Sequence, residues 1–194
     1  TVNTIPLNLN MEFDGLRTYA STDLKWNRIE GTLFSSDETE IPLIHEIIKA
    51  TQSGRDLPVN WDHESGKIHH FVIDSVERKE SLQKVRITWD SKDIEDMDIQ
   101  GSREYEIPSL GEFVLMDHKI VQNPDQYISL VFSDPVQSDQ YLNGLISLSN
   151  NTGLRYSVND NEIRVYPNVR QSGNLELSVY PGIQNILGYK YSGS

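Results

Sequence analysis

The sequence predicts an all-β protein made of two tandem immunoglobulin-like antiparallel β-sandwich domains, and three features support this fold class. Apolar and polar residues alternate in short segments such as residues 4–13, which is the pattern of half-buried strands. Turn-forming clusters such as Ser133-Asp134-Pro135 separate these segments about every 8 to 12 residues, as in β-sandwiches. The pattern of the first half also returns in the second half.

The repeat divides the chain in two. Changes in loop length account for small drifts in the separation of matching residues, because loops tolerate insertions better than strands do. We therefore predict a first domain over residues 1–108 and a second over residues 109–194. The matching apolar pairs are 98, 97 and 95 residues apart: Phe34 and Phe132, Leu57 and Leu154, and Ile68 and Ile163.

The first half opens with a predicted strand over residues 4–13, which Asp14 and Gly15 are expected to end in a turn. Residues 62–66 are predicted to form a hairpin loop, because Asp, Ser and Gly favour turns. Alternation predicts the other strands over residues 23–34, 54–61, 67–76 and 82–89, and around Tyr105 and Ile107.

Helix and strand compete only in residues 41–50. Ile41, Ile44 and Ile48 fit a helical spacing, and Pro42 suits a first helical turn. We predict one helical turn and then a short strand over residues 47–51, because the matching place in the second half holds a turn and a strand.

The second half is organised around residues 127–148. Ile128, Leu130 and Phe132 form one apolar face of a predicted strand. Ser133-Asp134-Pro135 ends this strand, since proline has no amide hydrogen for a ladder. A tight turn at residues 142–145 then leads into a strand over residues 146–148. Further strands are predicted over residues 114–121, 154–158, 163–165 and 175–179 and within 183–191, with a turn at residues 159–161.

Composition excludes several classes of function. The formal net charge is -12 and there is no basic cluster, which argues against nucleic acid and anionic membrane surfaces as partners. The absence of cysteine excludes disulfides, thiolate metal sites and a cysteine nucleophile within this chain. No window approaches the ~20 apolar residues of a membrane helix. Because the chain starts at Thr1 without a leader, we expect a mature or excised piece whose signal or anchor has been removed.

Several motifs together resemble the amino-terminal domains of bacterial alpha-2-macroglobulin-like proteins, particularly those of the Bacteroides group. In the second half these motifs are Phe-Ser-Asp-Pro (132–135), Leu-Asn-Gly-Leu-Ile (142–146), Leu-Arg-Tyr-Ser-Val (154–158) and Tyr-Pro-Gly-Ile-Gln-Asn (180–185) before Leu-Gly-Tyr-Lys. In the first half they are Leu-Pro-Val-Asn-Trp (57–61), Lys-Ile-His-His-Phe (67–71), Ile-Thr-Trp-Asp (87–90) and Glu-Ile-Pro (106–108). The resemblance covers nearly all of the chain.

The resemblance implies macroglobulin-type domains of a periplasmic or cell-surface protein, often lipoprotein-anchored, that traps proteases through a bait segment and often a thioester. A thioester needs a Cys-x-Glu-Gln element, and this chain has no cysteine, so no covalent trapping chemistry is expected here. The implied partners are other domains of the same long chain, and proteases through the intact parent protein. No cofactor and no direct membrane insertion are expected.

Histidines and carboxylates offer the best candidates for metal ligands. Asp62 and His63 lie near His69 and His70 in the predicted hairpin, but adjacent residues on a strand point to opposite faces. At most one of His69 and His70 can therefore join His63, and we predict no metal site. The acidic residues Asp93, Glu95, Asp96 and Asp98 lack the spacing of an EF-hand and are expected to form a solvated loop.

No catalytic residue is predicted. Ser133 and Asp134 lack the glycines of a nucleophile elbow, and paired carboxylates for glycoside hydrolysis cannot be placed in a cleft. Asn150-Asn151-Thr152 matches a glycosylation pattern by chance. Phe34, Phe132, Pro135 and Gly144 are assigned to the fold and its turns.

Three hypotheses of function follow. The first is a non-catalytic pair of domains from a bacterial alpha-2-macroglobulin-like protease inhibitor. The second is a carbohydrate-binding or adhesion module, which would present exposed aromatic residues on one sheet or loop rim. The third is a small hydrolase, for which no nucleophile and base pair can be placed.

Overall fold

The structure, a computed structural model, describes residues 8–19, 23–92, 99–149 and 153–193. Antiparallel sheets and one short helix make up the regular structure of these residues, so the predicted all-β class is confirmed. Three predicted features fall wholly or partly outside the described residues: the start of the first strand, the acidic loop at residues 93–98 and the Asn150-Asn151-Thr152 motif.

The described elements follow one another in a simple order. In the first half they are β1 (Leu9–Thr18), β2 (Trp26–Ser35), α1 (Ile41–Ile47), β3 (Ile48–Gln52), β4 (Arg55–Leu57), β5 (Val59–Ser65), β6 (Ile68–Glu77), β7 (Gln83–Asp90) and β8 (Gln100–Ile107). In the second half they are β9 (Leu115–Val121), β10 (Tyr127–Phe132), β11 (Ile146–Leu148), β12 (Leu154–Asn159), β13 (Glu162–Pro167) and β14 (Leu177–Val179).

The described chain divides into two compact units. Unit 1 contains the residues up to Gly15 and Trp26–Ile107, and unit 2 contains Leu16–Lys25 and the residues from Pro108 onward. The second unit thus begins one residue before the predicted boundary. It also includes Leu16–Lys25, which the sequence prediction assigned to the first domain.

Unit 1 consists of two four-stranded sheets, in the orders β1-β2-β6-β5 and β4-β3-β7-β8. Phe71 and Ile73 of β6 are buried in its core, as are Val85 and Ile87 of β7. Aromatic contacts join the two sheets, because the ring of Phe13 on β1 lies 5.8 Å from Trp89 and 6.1 Å from Tyr105, centroid to centroid. The strand β8 therefore covers the inner face of β1.

Unit 2 repeats the larger part of this arrangement. Its four-stranded sheet has the order β12-β13-β10-β9, and a two-stranded sheet, β11-β14, packs against it. Leu130 and Phe132 of β10 are fully buried, as are Ile163 and Val165 of β13. Read in reverse, β9-β10-β13-β12 has the same connectivity as β1-β2-β6-β5.

The repeat predicted from the sequence matches strands in two of its three pairs, but it does not match residues. Phe34 and Phe132 lie on the corresponding strands β2 and β10, and Ile68 and Ile163 lie on β6 and β13. However, Phe34 is opposite Ile68 and both are only partly buried, whereas the fully buried Ile163 is opposite Leu130. The third pair is wrong, because Leu57 lies on β4 whereas Leu154 lies on β12, the counterpart of β5. The chain segments before the β5–β6 hairpin and before the β12–β13 hairpin differ between the two units. Two residues separated by nearly the same number of positions as the other pairs therefore need not be equivalent in the fold.

Local predictions in the first half had mixed outcomes. The helical turn followed by a strand is confirmed by α1 and β3. The hairpin loop at residues 62–66 is wrong, since β5 continues to Ser65 and only Gly66 and Lys67 form the turn. The turn at Asp14 and Gly15 is also wrong, because β1 continues beyond them to bury Leu16.

The end of β10 is held by a buried polar contact between two of the quoted motifs. Asn185 donates a 2.6 Å hydrogen bond to the carboxylate of Asp134, and both side chains are fully buried. The side-chain oxygen of Asn185 also accepts hydrogen bonds from the amides of Leu187 and Tyr189. In addition, the Pro135 carbonyl accepts a hydrogen bond from the amide of Ile186. The Phe-Ser-Asp-Pro and Tyr-Pro-Gly-Ile-Gln-Asn motifs therefore contact each other in the fold.

Replacing Asn185 with Ala should destabilise unit 2 by about 3 kcal/mol, since a buried carboxylate loses a donor and the backbone amides of Leu187 and Tyr189 lose their acceptor. Hydrogen exchange at the amides of Leu130 and Ile163 measures this. The exposed Asn159→Ala serves as the control and should change stability by at most about 0.5 kcal/mol. Equal protection in the two variants would contradict the assigned role.

Replacing Gly31 with Ala should destabilise unit 1 by about 1 to 3 kcal/mol through overpacking. A Cβ there would lie 2.4 Å from Cζ of Phe71 and 2.5 Å from the carbonyl oxygen of Glu12. Urea unfolding followed by tryptophan fluorescence reports on unit 1, which holds all three tryptophans. In the control Gly66→Ala, the new Cβ meets the Glu38 side chain at the surface, and a much smaller effect is expected. A Gly31→Ala variant as stable as this control would refute the packing argument.

Candidate functional sites

Two of the histidines considered from the sequence come together in unit 1. His63 on β5 is opposite His69 on β6, and their Nδ1 atoms lie 2.8 Å apart. His69 is fully buried, whereas its neighbour His70 points to the other face and contacts Glu64 and Thr32. The expectation that only one of His69 and His70 can join His63 is therefore confirmed.

A third histidine, which the sequence interpretation did not include, extends this pair. His45 on α1 places its Nε2 atom 3.0 Å from Nε2 of His63, and its ring stacks on Trp61 at a centroid distance of 6.0 Å. The residues His45, His63 and His69 are called the histidine chain below. His45 follows the buried Ile44 on the helix, and its only sequence signal is that four of the five histidines lie in residues 45–70.

The geometry of the histidine chain is that of hydrogen bonding. The rings of His45 and His63 have centroids 5.3 Å apart and nitrogens 3.0 Å apart, so the two nitrogens face each other along the line between the rings. Metal ligands instead direct their lone pairs to a common point about 2.0 to 2.1 Å from each nitrogen. Within the described ranges, no group of three or more histidine and carboxylate side chains is arranged to hold a metal ion.

A chain of imidazoles restricts where protons can lie. Each of the two contacts needs one protonated and one bare nitrogen, and His63 uses both of its nitrogens. A second added proton would therefore place two N–H groups against each other and break a contact. At the buried end, Nε2 of His69 has no hydrogen-bond partner in the described part of the chain, and neither has Nε1 of Trp61.

Burial disfavours the protonated form of His69. Its pKa is lowered from the ordinary 6.5, first by desolvation and then by the neighbouring His63, with smaller contributions from His45 and His70. The carbonyl of Gly66 acts in the opposite direction and offsets part of the decrease. On the far face of the sheet, His70 pairs with Glu64, and beside the turn Lys67 pairs with Asp37.

Ser133 and Asp134, considered above for a hydrolase, have structural positions. The Ser133 hydroxyl donates to the carbonyl of Glu112 at 3.1 Å and accepts from the amide of Val114 at 3.1 Å. Ser133 is fully buried, and the carboxylate of Asp134 is bound by Asn185. These contacts fix the end of β10.

Unit 2 has an apolar groove of about 530 Å³ that the sequence interpretation did not anticipate. Its walls include Leu115 and Ile120 of β9, Leu130 of β10, and Leu177 and Val179 of β14. Although Ile120 is opposite Ile128 and so shares the inner face of the sheet, 61% of its surface is exposed. The inner face of β9 is therefore uncovered.

The stability of unit 1 should increase with pH around the titration of His69. In the unfolded state His69 has the ordinary pKa of 6.5, and in the folded state its pKa is lower. Between these two pKa values the unfolded state therefore binds more protons than the folded state. The stabilisation is complete above pH 6.5 and is lost as the pH falls from there toward the folded pKa. One proton limits the slope to about 1.4 kcal/mol per pH unit.

Urea unfolding between about pH 5 and pH 8, followed by tryptophan fluorescence, measures this slope. The substitution His69→Phe should flatten it, whereas His70→Gln, on the opposite face of the same strand, should leave it in place. A slope unchanged by His69→Phe would show that another group is responsible.

No protein-family model matches the chain, and no curated protein sequence matches it. In the described residues, no helix has the length and apolar character needed to cross a membrane.

Proposed function

We propose that the chain is a pair of non-catalytic macroglobulin-type modules from the amino-terminal part of a bacterial alpha-2-macroglobulin-like protease inhibitor, located in the periplasm or at the cell surface. The observation that carries this proposal is the repeat of one sheet order, β1-β2-β6-β5 and β9-β10-β13-β12, in two successive units. Long arrays of such β-sandwich units characterise the family that the sequence resembles.

The motifs behind the resemblance support the proposal through their positions in the fold. Asp134 and Asn185, from two separate motifs, bind each other in the core of unit 2, and Ser133 binds the segment that leads into β9. Residue patterns that specify a fold in this way are expected to accompany that fold. They argue for shared architecture, whereas a hydrolase would need accessible nucleophiles at these positions.

The groove of unit 2 supports a role in docking. An uncovered apolar strand face in an otherwise packed unit is typical of a surface that contacts another protein segment. In the proposed function the partners are other domains of the same long chain, and proteases are met through the intact parent protein.

Exposed tyrosines favour one second candidate, a carbohydrate-binding or adhesion module. Tyr141, Tyr180 and Tyr189 are 77%, 46% and 51% exposed, and they lie on two segments of unit 2 that are hydrogen-bonded together through Gln137, Gln140 and Gln184. Aromatic rings on a loop rim can stack on sugar rings.

The open reading frame that contains the chain, translated from the source DNA, tests the first candidate. A secretory or lipoprotein leader upstream and a long array of β-sandwich domains with a bait segment downstream are the expected result. A frame that stops shortly after Ser194, or that leads into a catalytic or anchoring domain, would refute the inhibitor assignment.

Binding to a panel of immobilised polysaccharides tests the second candidate. If the chain is a carbohydrate-binding module, Tyr141→Ala, Tyr180→Ala and Tyr189→Ala should each weaken binding, while Tyr127→Ala, outside the two segments, should not. No binding by the unaltered chain would exclude sugars of the panel as its ligands.

A further inference from the structure

We propose that the groove of unit 2 binds an extended peptide segment of a partner, which adds as a third strand beside β14 and lays alternate apolar side chains on the inner face of β9. The inference rests on the proposed function, in which the chain is a docking module, and it names the chemistry of the partner. Its support comes from the comparison of the two units and from the backbone of β14.

In unit 1 the same position is filled by the protein's own chain. The strands β3 and β7 of unit 1 correspond to β11 and β14 of unit 2, and β7 pairs on its other side with β8. Arg103 and Tyr105 of β8 cover Phe13 on β1, with the Arg103 guanidinium 5.0 Å from the Phe13 ring centroid. Among the described residues of unit 2, no strand takes the place of β8.

The backbone of β14 offers an edge for this missing strand. The amide of Tyr180 donates to the Leu145 carbonyl and that of Ser149 donates to the Glu176 carbonyl, each at 2.8 Å, so residues 176 and 180 bond toward β11. In an antiparallel ladder the bonding direction alternates, and the backbone groups of Leu177 and Val179 therefore point away from β11. An unpaired strand edge is a template for another strand.

The side chains around this edge select an apolar strand. Leu177 and Val179 face inward from β14, and Leu115, His118 and Ile120 face inward from β9, with His118 the one polar side chain among them. Backbone pairing on one side and apolar contacts at every second residue are the two requirements of strand addition. A compact small molecule would satisfy the apolar contacts and leave the backbone of β14 unpaired.

One end of the groove is lined by side-chain amides, which can face the polar backbone groups of a bound peptide. Gln126 donates to Gln122 and to the carbonyl of Gln171, and it accepts from the amide of Gln171, which fixes an amide-lined rim. The rim is polar and uncharged, so it accommodates a peptide backbone without a specific charge. The chain as a whole is acidic, and basic residues at the ends of the partner segment would favour its approach.

A synthetic peptide tests the proposal directly. The probe is acetyl-Lys-Thr-Val-Thr-Val-Thr-Lys-amide, which matches the seven residues of β9 in length. Its binding to the whole chain is measured by isothermal titration calorimetry and by amide chemical shifts of β9 and β14. A matched peptide with N-methylated valines keeps the apolar side chains and blocks backbone pairing.

The unaltered chain should bind the probe peptide and shift the amides of Leu177 and Val179, and the N-methylated peptide should bind at least about tenfold more weakly. The variant Ile120→Glu should also weaken binding by about tenfold or more, because it places a charge on the uncovered face. Leu82→Glu, at an exposed apolar residue of unit 1, is the control and should bind as the unaltered chain does.

Two other outcomes would overturn the proposal. If the N-methylated peptide bound as tightly as the probe peptide, the groove would be a site for apolar ligands that bind without strand pairing. A dimer in analytical ultracentrifugation that Ile120→Glu abolishes, without peptide binding, would show that a second copy covers the groove. Peptide binding together with a reading frame that lacks further domains would retain the strand-binding groove and refute only the proposed function.

Discussion

The hydrogen bond between Asp134 and Asn185 is the constraint on which the architecture of unit 2 depends. A buried carboxylate is costly unless donors surround it, so the chain from Tyr180 onward must return to the end of β10. The same asparagine binds the amides of Leu187 and Tyr189 and so shapes the loop that carries it. The buried pair of Asp134 and Asn185 thus holds the chain from Tyr180 onward beside the end of β10, where Pro135 ends the strand.

A second buried asparagine explains why the units do not follow the linear order of the chain. The Asn161 side chain donates to the carbonyls of Phe132 and Leu16, and it is fully buried. Leu16 thereby belongs to unit 2, although the strand that contains it begins in unit 1. This buried hydrogen bond joins the segment to unit 2, a contact that the sequence repeat does not predict.

The repeated sheet order gives the two units similar cores and different open surfaces. In unit 1 the second sheet has four strands, and β8 completes it over β1. In the described part of unit 2 the second sheet has two strands, which leaves Ile120 and the edge of β14 uncovered there. Unit 1 instead has the histidine chain, in which His63 connects His45 of α1 to the buried imidazole of His69. The two units share one sheet order and differ in the strands and side chains that complete each core.

The sequence by itself determined the all-β class, the helical turn and strand that follow Ile41, and the correspondence of the strands that contain Phe34 and Phe132, because alternation and turn chemistry are local properties of the backbone. It also predicted that at most one of His69 and His70 could join His63, since the faces of a strand alternate. Only the tertiary structure brought His45 to His63 and left β9 without a cover. Both depend on how elements far apart in the chain pack, and no periodicity within a strand or helix carries that information.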